Sequence, residues 1–220
     1  YDANGSMIKE DSSLRVMLGR AVPLSGDEKI SDEERFQFSS KDLMAIRQIP
    51  DLLECADSLK IEGRMKSIHY IATVTKVYRM LIDDYYEKGR IDDFTYYEQE
   101  IKKAENRLFS HGFLLGETTV NEQLYNMRSE NPTQDFVGII LSYDNETKKA
   151  KVDVRNHFKP YSVLEAFGPN LRSTSFEIGK IINEKGEEVD AARHPREVVE
   201  IDCPFELKPY DMLRLVVCKK

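Results

Sequence analysis

The apolar positions of this chain follow a helical rhythm in one stretch and a strand rhythm in others. Tyr70, Ile71, Val74, Tyr78, Leu81, Ile82 and Tyr85 recur three and four residues apart, the spacing that lines one helix face. They predict a helix over 68–88, stopped by Gly89. Just before it, Ser58-Leu59-Lys60-Ile61-Glu62 alternates polar and apolar, so a short strand is expected there, with Gly63 as the strand-to-helix turn. Upstream, Phe36-Gln37-Phe38 reads as a strand, Ser39 or Ser40 as an N-cap, and Asp42 as an acid in the first turn of a short helix. Pro50 suits the start of a second helical turn through Cys55, because its missing N–H would have no partner there anyway. Asp92 is expected to cap a helix from about Phe94 to Leu108, broken at His111-Gly112. Residues 1–35 are irregular, with a strand expected through Leu14 to Val22 and an acidic excursion beyond it.

After Gly116 the texture changes. Residues 117–135 are polar, contain Pro132 and read as a linker. Short β-rich runs follow near Phe136–Tyr143, Ala150–Asn156, Val163–Phe167, Ser175–Ile182, Val198–Ile201 and Met212–Cys218. Asp144-Asn145, Gly168-Pro169-Asn170, Lys185-Gly186 and Lys208-Pro209-Tyr210-Asp211 separate them as turns. Six short strands in so short a stretch imply a small antiparallel β-barrel, closure being the usual way to remove exposed edges. The expected organisation is α+β in two parts: 1–116 with the long helices, the linker 117–135, and a barrel over 136–220.

Composition narrows the class. The net charge of -7 argues against a protein coated in positive charge for nucleic acid, while leaving room for a local basic groove. No apolar run approaches the roughly 20 residues of a membrane helix and no signal segment opens the chain, so no membrane partner and a cytoplasmic setting are expected. Cys55, Cys203 and Cys218 are odd in number and far apart, which predicts free thiols rather than disulfides or a zinc site. The opening Tyr1 is not an initiator methionine and Gly5-Ser6-Met7 resembles a cloning scar, so the chain reads as a fragment. There is no Gly-x-Ser-x-Gly elbow, His-Glu-x-x-His helix or phosphate loop. His111, His157 and His194 have no ligands at metal spacing.

The stretch from Ser39 to Asp83, SSKDLMAIRQIPDLLECADSLKIEGRMKSIHYIATVTKVYRMLID, resembles the end of the core of the collagenase-like peptidase family U-32. Ser40 to Leu43, Pro50, Asp57 to Ser67 and Tyr70 to Val74 carry the resemblance, and His111-Gly112-Phe113, Gly116 and the run from Arg155 to Pro169 agree with it. The resemblance implies a remnant of a TIM-like α/β barrel, with Lys60 to Arg64 on its last strand, followed by a small antiparallel β-barrel resembling the second domain of translation elongation factors. It further implies a parent enzyme acting on protein as a peptidase, or on RNA as a hydroxylase of tRNA uridine, apparently with an iron–sulfur centre. The family's cysteine-rich segment is not in this sequence and none of its three cysteines stands in for it, so no cofactor is expected in this chain. Tyr161-Ser162 departs from the family, whose barrel often carries a Gly-Asp turn there.

The candidate residues follow. Glu62, Arg64 and Lys60 lie at the expected strand end, where catalytic side chains of α/β proteins collect. Glu62 beside two cations would stay ionised and act as a base or hold a cationic group, and Arg64 would clamp a phosphate or carboxylate bidentately. The competing reading is an ion pair within the loop. Asp42, Lys66, His69 and Tyr70 are candidate substrate-binding groups, although Asp42 would serve equally as a helix-dipole partner. Lys149, Lys151 and Arg155 are candidate RNA contacts, or else a strand edge whose lysines discourage edge-to-edge pairing. The chain alone is expected to be inactive. The alternative function is a non-catalytic RNA-binding or protein-interaction module, and a second copy could cover apolar faces at Phe36, Phe38, Leu59 and Ile61.

Overall fold

The computed structural model describes residues 14–17, 20–23, 39–64, 66–104, 108–116, 123–124 and 135–216. They fall into two compact units, one from within 1–45 and 107–130, the other from within 46–106 and 131–220.

The first unit is built from short pairings. Strands β1 (Leu14–Met17) and β2 (Arg20–Pro23) form an antiparallel hairpin, where a single strand was expected. Strand β3 (Ser39–Ser40) pairs with a later two-residue strand at Gln123–Leu124, so neither serine is an N-cap. Strand β4 (Asp42–Leu43) lies parallel to β5 (Phe109–Ser110), closed by Asp42 N–H to Leu108 O at 3.0 Å and Met44 N–H to Ser110 O at 2.9 Å. Asp42 is therefore a strand residue, because Leu108 and Ser110, far away in sequence, take the backbone groups that a helix would have used. The Gln123–Leu124 strand is β6. The strand expected over Phe36–Phe38 lies outside the described residues.

The second unit carries the helices. Helix α1 (Ile49–Cys55) has Pro50 in its first turn, as the missing N–H requires. Helix α2 (Ile68–Lys88) begins where Ser67 Oγ accepts the Tyr70 N–H and ends where Gly89, at φ 72°, donates its N–H to Tyr85 O. Its inner face buries His69, Thr73, Val74, Lys76, Val77 and Leu81. Helix α3 (Thr95–Ile101) is shorter than expected. At its start Asp93 Oδ1, rather than Asp92, accepts the Thr95 N–H, and after its last turn the Lys103 and Ala104 N–H groups bond three residues back.

The strand expected over Ser58–Glu62 does not form. The segment is extended but exposed, and a strand exists only with a partner to share its ladder bonds. Among the described residues none pairs with it. Leu59 and Ile61 stay partly exposed, and Gly63 O closes a turn by accepting the Lys66 N–H.

The remaining strands are β7 (Asp135–Asp144), β8 (Lys149–Val154), β9 (Val163–Gly168), β10 (Leu171–Glu177), β11 (Ile181–Asn183), β12 (Glu188–Val189), β13 (Val198–Asp202) and β14 (Met212–Leu215). They form one antiparallel row in the order β10-β9-β14-β7-β8-β13-β11-β12. The single run expected over Ser175–Ile182 is split between β10, near one end of the row, and β11, near the other. A flat row would put these strands six spacings, or about 29 Å, apart. The chain from Glu177 to Ile181 can span only about 14 Å. The sheet must therefore roll up, and its inner face gathers Val137, Ile140, Val152, Phe158, Leu164, Ile181, Val199 and Leu213 into one apolar core.

One contact constrains the roll tightly. Gly168 ends β9 against Asp211, and a Cβ placed there would lie 1.7 Å from Asp211 Oδ1, whose other oxygen accepts the Lys208 N–H at 2.8 Å. Gly168→Ala is expected to lower stability by about 1–3 kcal/mol through overpacking, read as a lower urea midpoint. An unchanged midpoint would show that the Asp211 turn yields freely.

Candidate functional site

The residues proposed from sequence separate into four places. Lys60, Glu62, Arg64 and Lys66 share the exposed segment leading into α2. Glu62 Oε1 accepts the Arg64 N–H at 3.1 Å, and Lys60 Nζ lies 4.0 Å from Glu62 Oε2. Both side chains of that pair are mostly in water, where such an ion pair contributes little. Lys66 Nζ sits 4.9 Å from the centre of the Tyr70 ring, a cation–π contact across the helix start. This segment thus presents three cations around one carboxylate. Asp42 belongs to the first unit, in β4.

His69 is not at this surface. It is 1% exposed, its ring stacked on Phe136 at 5.2 Å and edge-on to Phe167 at 5.7 Å, and neither ring nitrogen has a hydrogen-bond partner. Burial, helped by the nearby Arg214 charge, lowers its pKa to about 4. The helical period that places Tyr70 outward turns its neighbour inward.

The proposed RNA contacts on the sheet have acidic neighbours. Lys149 Nζ lies 2.7 Å from Glu200 Oε1, a bond that raises its pKa, and Lys151 is the direct cross-strand partner of Glu200. Arg155 is held 2.9 Å from Asp153, which Arg196 also approaches at 3.7 Å.

Sequence reasoning missed the most charged place in the fold, which lies where α2 and α3 meet the sheet. Arg214 of β14 is fully buried. Its Nη2 donates to Glu100 Oε2 and to Ser173 Oγ, both at 3.0 Å, and its Nε lies 2.9 Å from Glu165 Oε1 without hydrogen-bond alignment. Lys103 Nζ reaches Glu165 Oε2 at 2.8 Å and also bonds Glu100. Lys76 donates to Leu171 O at 2.8 Å, and both Lys76 and Arg214 lie over the Phe167 ring. Three cations here face Glu100 and Glu165, and the buried Asp211 carboxylate lies within electrostatic reach of Lys76. Burial, opposed by the carboxylates and aided by Arg214 and Lys103, lowers Lys76 to about 8. For Glu100, burial pushes the pKa up, but hydrogen bonds from Lys103 and Ser173 and the cationic charges outweigh it and leave it below the ordinary value. The only sequence signal was a lone charge inside each of two apolar runs, Leu164-Glu165-Ala166-Phe167 and Met212-Leu213-Arg214-Leu215.

Comparison with known proteins places both regions. The family model of peptidase family U32 matches residues 6–124, and that of the peptidase family U32 C-terminal domain matches residues 132–214. The chain belongs to peptidase family U32. It is 39% identical over 198 residues to tRNA hydroxylation protein P1 of Bacillus subtilis, covering 88% of this chain and 46% of that one. It is 33% identical over 141 residues to an uncharacterized protease of Methanocaldococcus jannaschii, covering 64% of this chain and 32% of that one. A crystallised C-terminal domain of a Geobacillus thermoleovorans protein assigned to the U32 peptidases is 44% identical, covers 40% of this chain and 98% of its own, and superposes with a TM-score of 0.36. The chain spans less than half the length of these two curated relatives.

Two outcomes test the buried site. As pH falls below 6.5 the unfolded His69 takes up a proton that the folded protein accepts only near pH 4, so stability should decline across that window. His69→Phe should flatten the decline and leave stability at pH 7 equal or slightly higher, read from urea midpoints between pH 4 and 7. The buried ion pairs give a second test. Glu165→Gln leaves Arg214 and Lys103 sharing one carboxylate, Glu100, and should cost about 3 kcal/mol or more in chemical denaturation. A loss below about 1 kcal/mol would show that Glu165 is not needed to hold the buried guanidinium.

Proposed function

We propose that this chain is the C-terminal portion of a cytoplasmic U32 protein that acts on tRNA, with hydroxylation the activity of the longer protein. The observation that carries this reading is the similarity to tRNA hydroxylation protein P1, which at 88% of the chain includes parts of both family regions. The exposed segment before α2 supports it. Lys60, Arg64 and Lys66 offer positive charge to a phosphate backbone, with Arg64 able to grip two phosphate oxygens and Glu62 fixing the local backbone through the Arg64 N–H. Glu62 and Arg64 are the proposed functional pair. A serine- or cysteine-type peptidase calls for a nucleophile beside its base, and among the described residues no serine, threonine or cysteine is bonded to a histidine. Among the described residues no group of three or more His, Cys, Asp or Glu is placed to hold a metal ion. No helix among them is long and apolar enough to cross a membrane.

The test is the salt dependence of tRNA binding. Affinity should fall steeply with salt, and replacing Lys60, Arg64 and Lys66 together by glutamine should reduce the slope of log K against log salt by about 2–3. An unchanged slope would remove these three from the interface. Cleavage of unfolded collagen by the full-length protein, abolished by Glu62→Gln without unfolding, would turn the reading to a peptidase.

A further inference from the structure

The tripeptide Lys-Pro-Tyr occurs twice in the sheet, as Lys159-Pro160-Tyr161 and Lys208-Pro209-Tyr210. The structure gives both copies the same conformation. Each is a hydrogen-bonded turn, Ser162 N–H to Lys159 O at 3.3 Å and Asp211 N–H to Lys208 O at 3.0 Å. Each places its tyrosine at positive φ, 62° for Tyr161 and 75° for Tyr210. Proline second and positive φ third is the signature of a type II turn, whose third position belongs by preference to glycine or asparagine. Each tyrosine is then fastened by its own N–H, Tyr161 to Gly179 O at 3.2 Å and Tyr210 to Ile140 O at 2.9 Å.

The rings themselves add little to the fold. Tyr161 is 64% exposed and Tyr210 80% exposed, so neither contributes much burial, while each holds a backbone conformation unfavourable for a side chain with a Cβ. Unfavourable conformations kept without a structural return collect at functional positions. The first turn leads into β9 and the second into β14, adjacent antiparallel strands with Leu215 opposite Leu164 and Met212 opposite Phe167. The two tyrosines therefore stand at opposite ends of one ribbon, roughly 20 Å apart along it. Each has an exposed lysine two residues before it.

We propose that these two turns are paired contacts for single-stranded RNA, each tyrosine stacking on an unpaired base and each lysine meeting the adjacent phosphates. Exposed aromatics beside cations are what unstacked bases and their backbone require, and a rigid turn presents the ring with little ordering left to be done on binding. The inference rests on the tRNA reading for its class of partner. It adds where the sheet would touch the RNA.

The full chain contains no tryptophan, so its intrinsic fluorescence reports tyrosine directly. Binding of oligouridine and of unfractionated tRNA, followed by anisotropy of a labelled RNA and by tyrosine quenching at low salt, supplies the test. Tyr161→Gly and Tyr210→Gly should each weaken binding about tenfold and together abolish most of the quenching, with the melting temperature retained because glycine suits both turns. Tyr→Phe at both positions keeps the stacking face and should keep most of the affinity. Wild-type binding that the double glycine variant reproduces would overturn the paired contacts and leave the tRNA reading standing. Failure of the wild-type chain to bind either RNA at low salt would overturn both.

Discussion

Everything in the second unit depends on Arg214 being buried among Glu100, Glu165, Lys103 and Ser173. A guanidinium withdrawn from water is tolerable only where its hydrogen bonds and opposite charges are replaced, and no single element here replaces them. Helix α3 supplies Glu100 and the turn after it Lys103, β9 supplies Glu165, and β10 supplies Ser173. Any movement of α3 away from the sheet would strand a charge on each side. Apolar packing alone would let the helices slide. The ion network fixes them in one register.

That register has consequences for the surface. Helix α2 is tied to the same place through Lys76 and His69 on its inner face, and the Ser67 cap joins it directly to the segment carrying Lys60, Glu62, Arg64 and Lys66. The cationic segment and the rolled sheet are thus parts of one compact unit.

The network also orders the chemistry of its members. Lys76, the cation with the weakest claim on a carboxylate, is the one whose pKa is depressed to about 8, while Glu100 is held ionised below its usual range. His69, lacking any acceptor and facing Arg214, stays neutral until about pH 4. These are structural shifts of the kind that also mark catalytic groups, and burial away from solvent is what separates the two here.

Much of the fold was legible because local physics decides it. The α2 boundaries follow from a 3.6-residue period, a serine cap and a glycine stop, and the sheet's strands from alternation punctuated by turn residues. The family resemblance rested on Ser40–Leu43, Pro50, Asp57–Ser67 and Tyr70–Val74, runs whose residues could be read one by one. Long-range partners set the rest. Alternation at Leu59 and Ile61 promised a strand that found no neighbour, and Asp42 became a strand residue because Leu108 and Ser110 claimed its backbone. The run after Ser175 changed strands because the sheet rolls. By itself the sequence determined which segments can be helix or strand, since that depends on spacing within a few residues, and it carried the motifs by which it resembles its family. Only the tertiary structure decided that His69 is core, that Arg214 is the hub and that two tyrosines stand at the ends of one ribbon. Those outcomes depend on which distant residues complete a hydrogen bond or neutralise a charge.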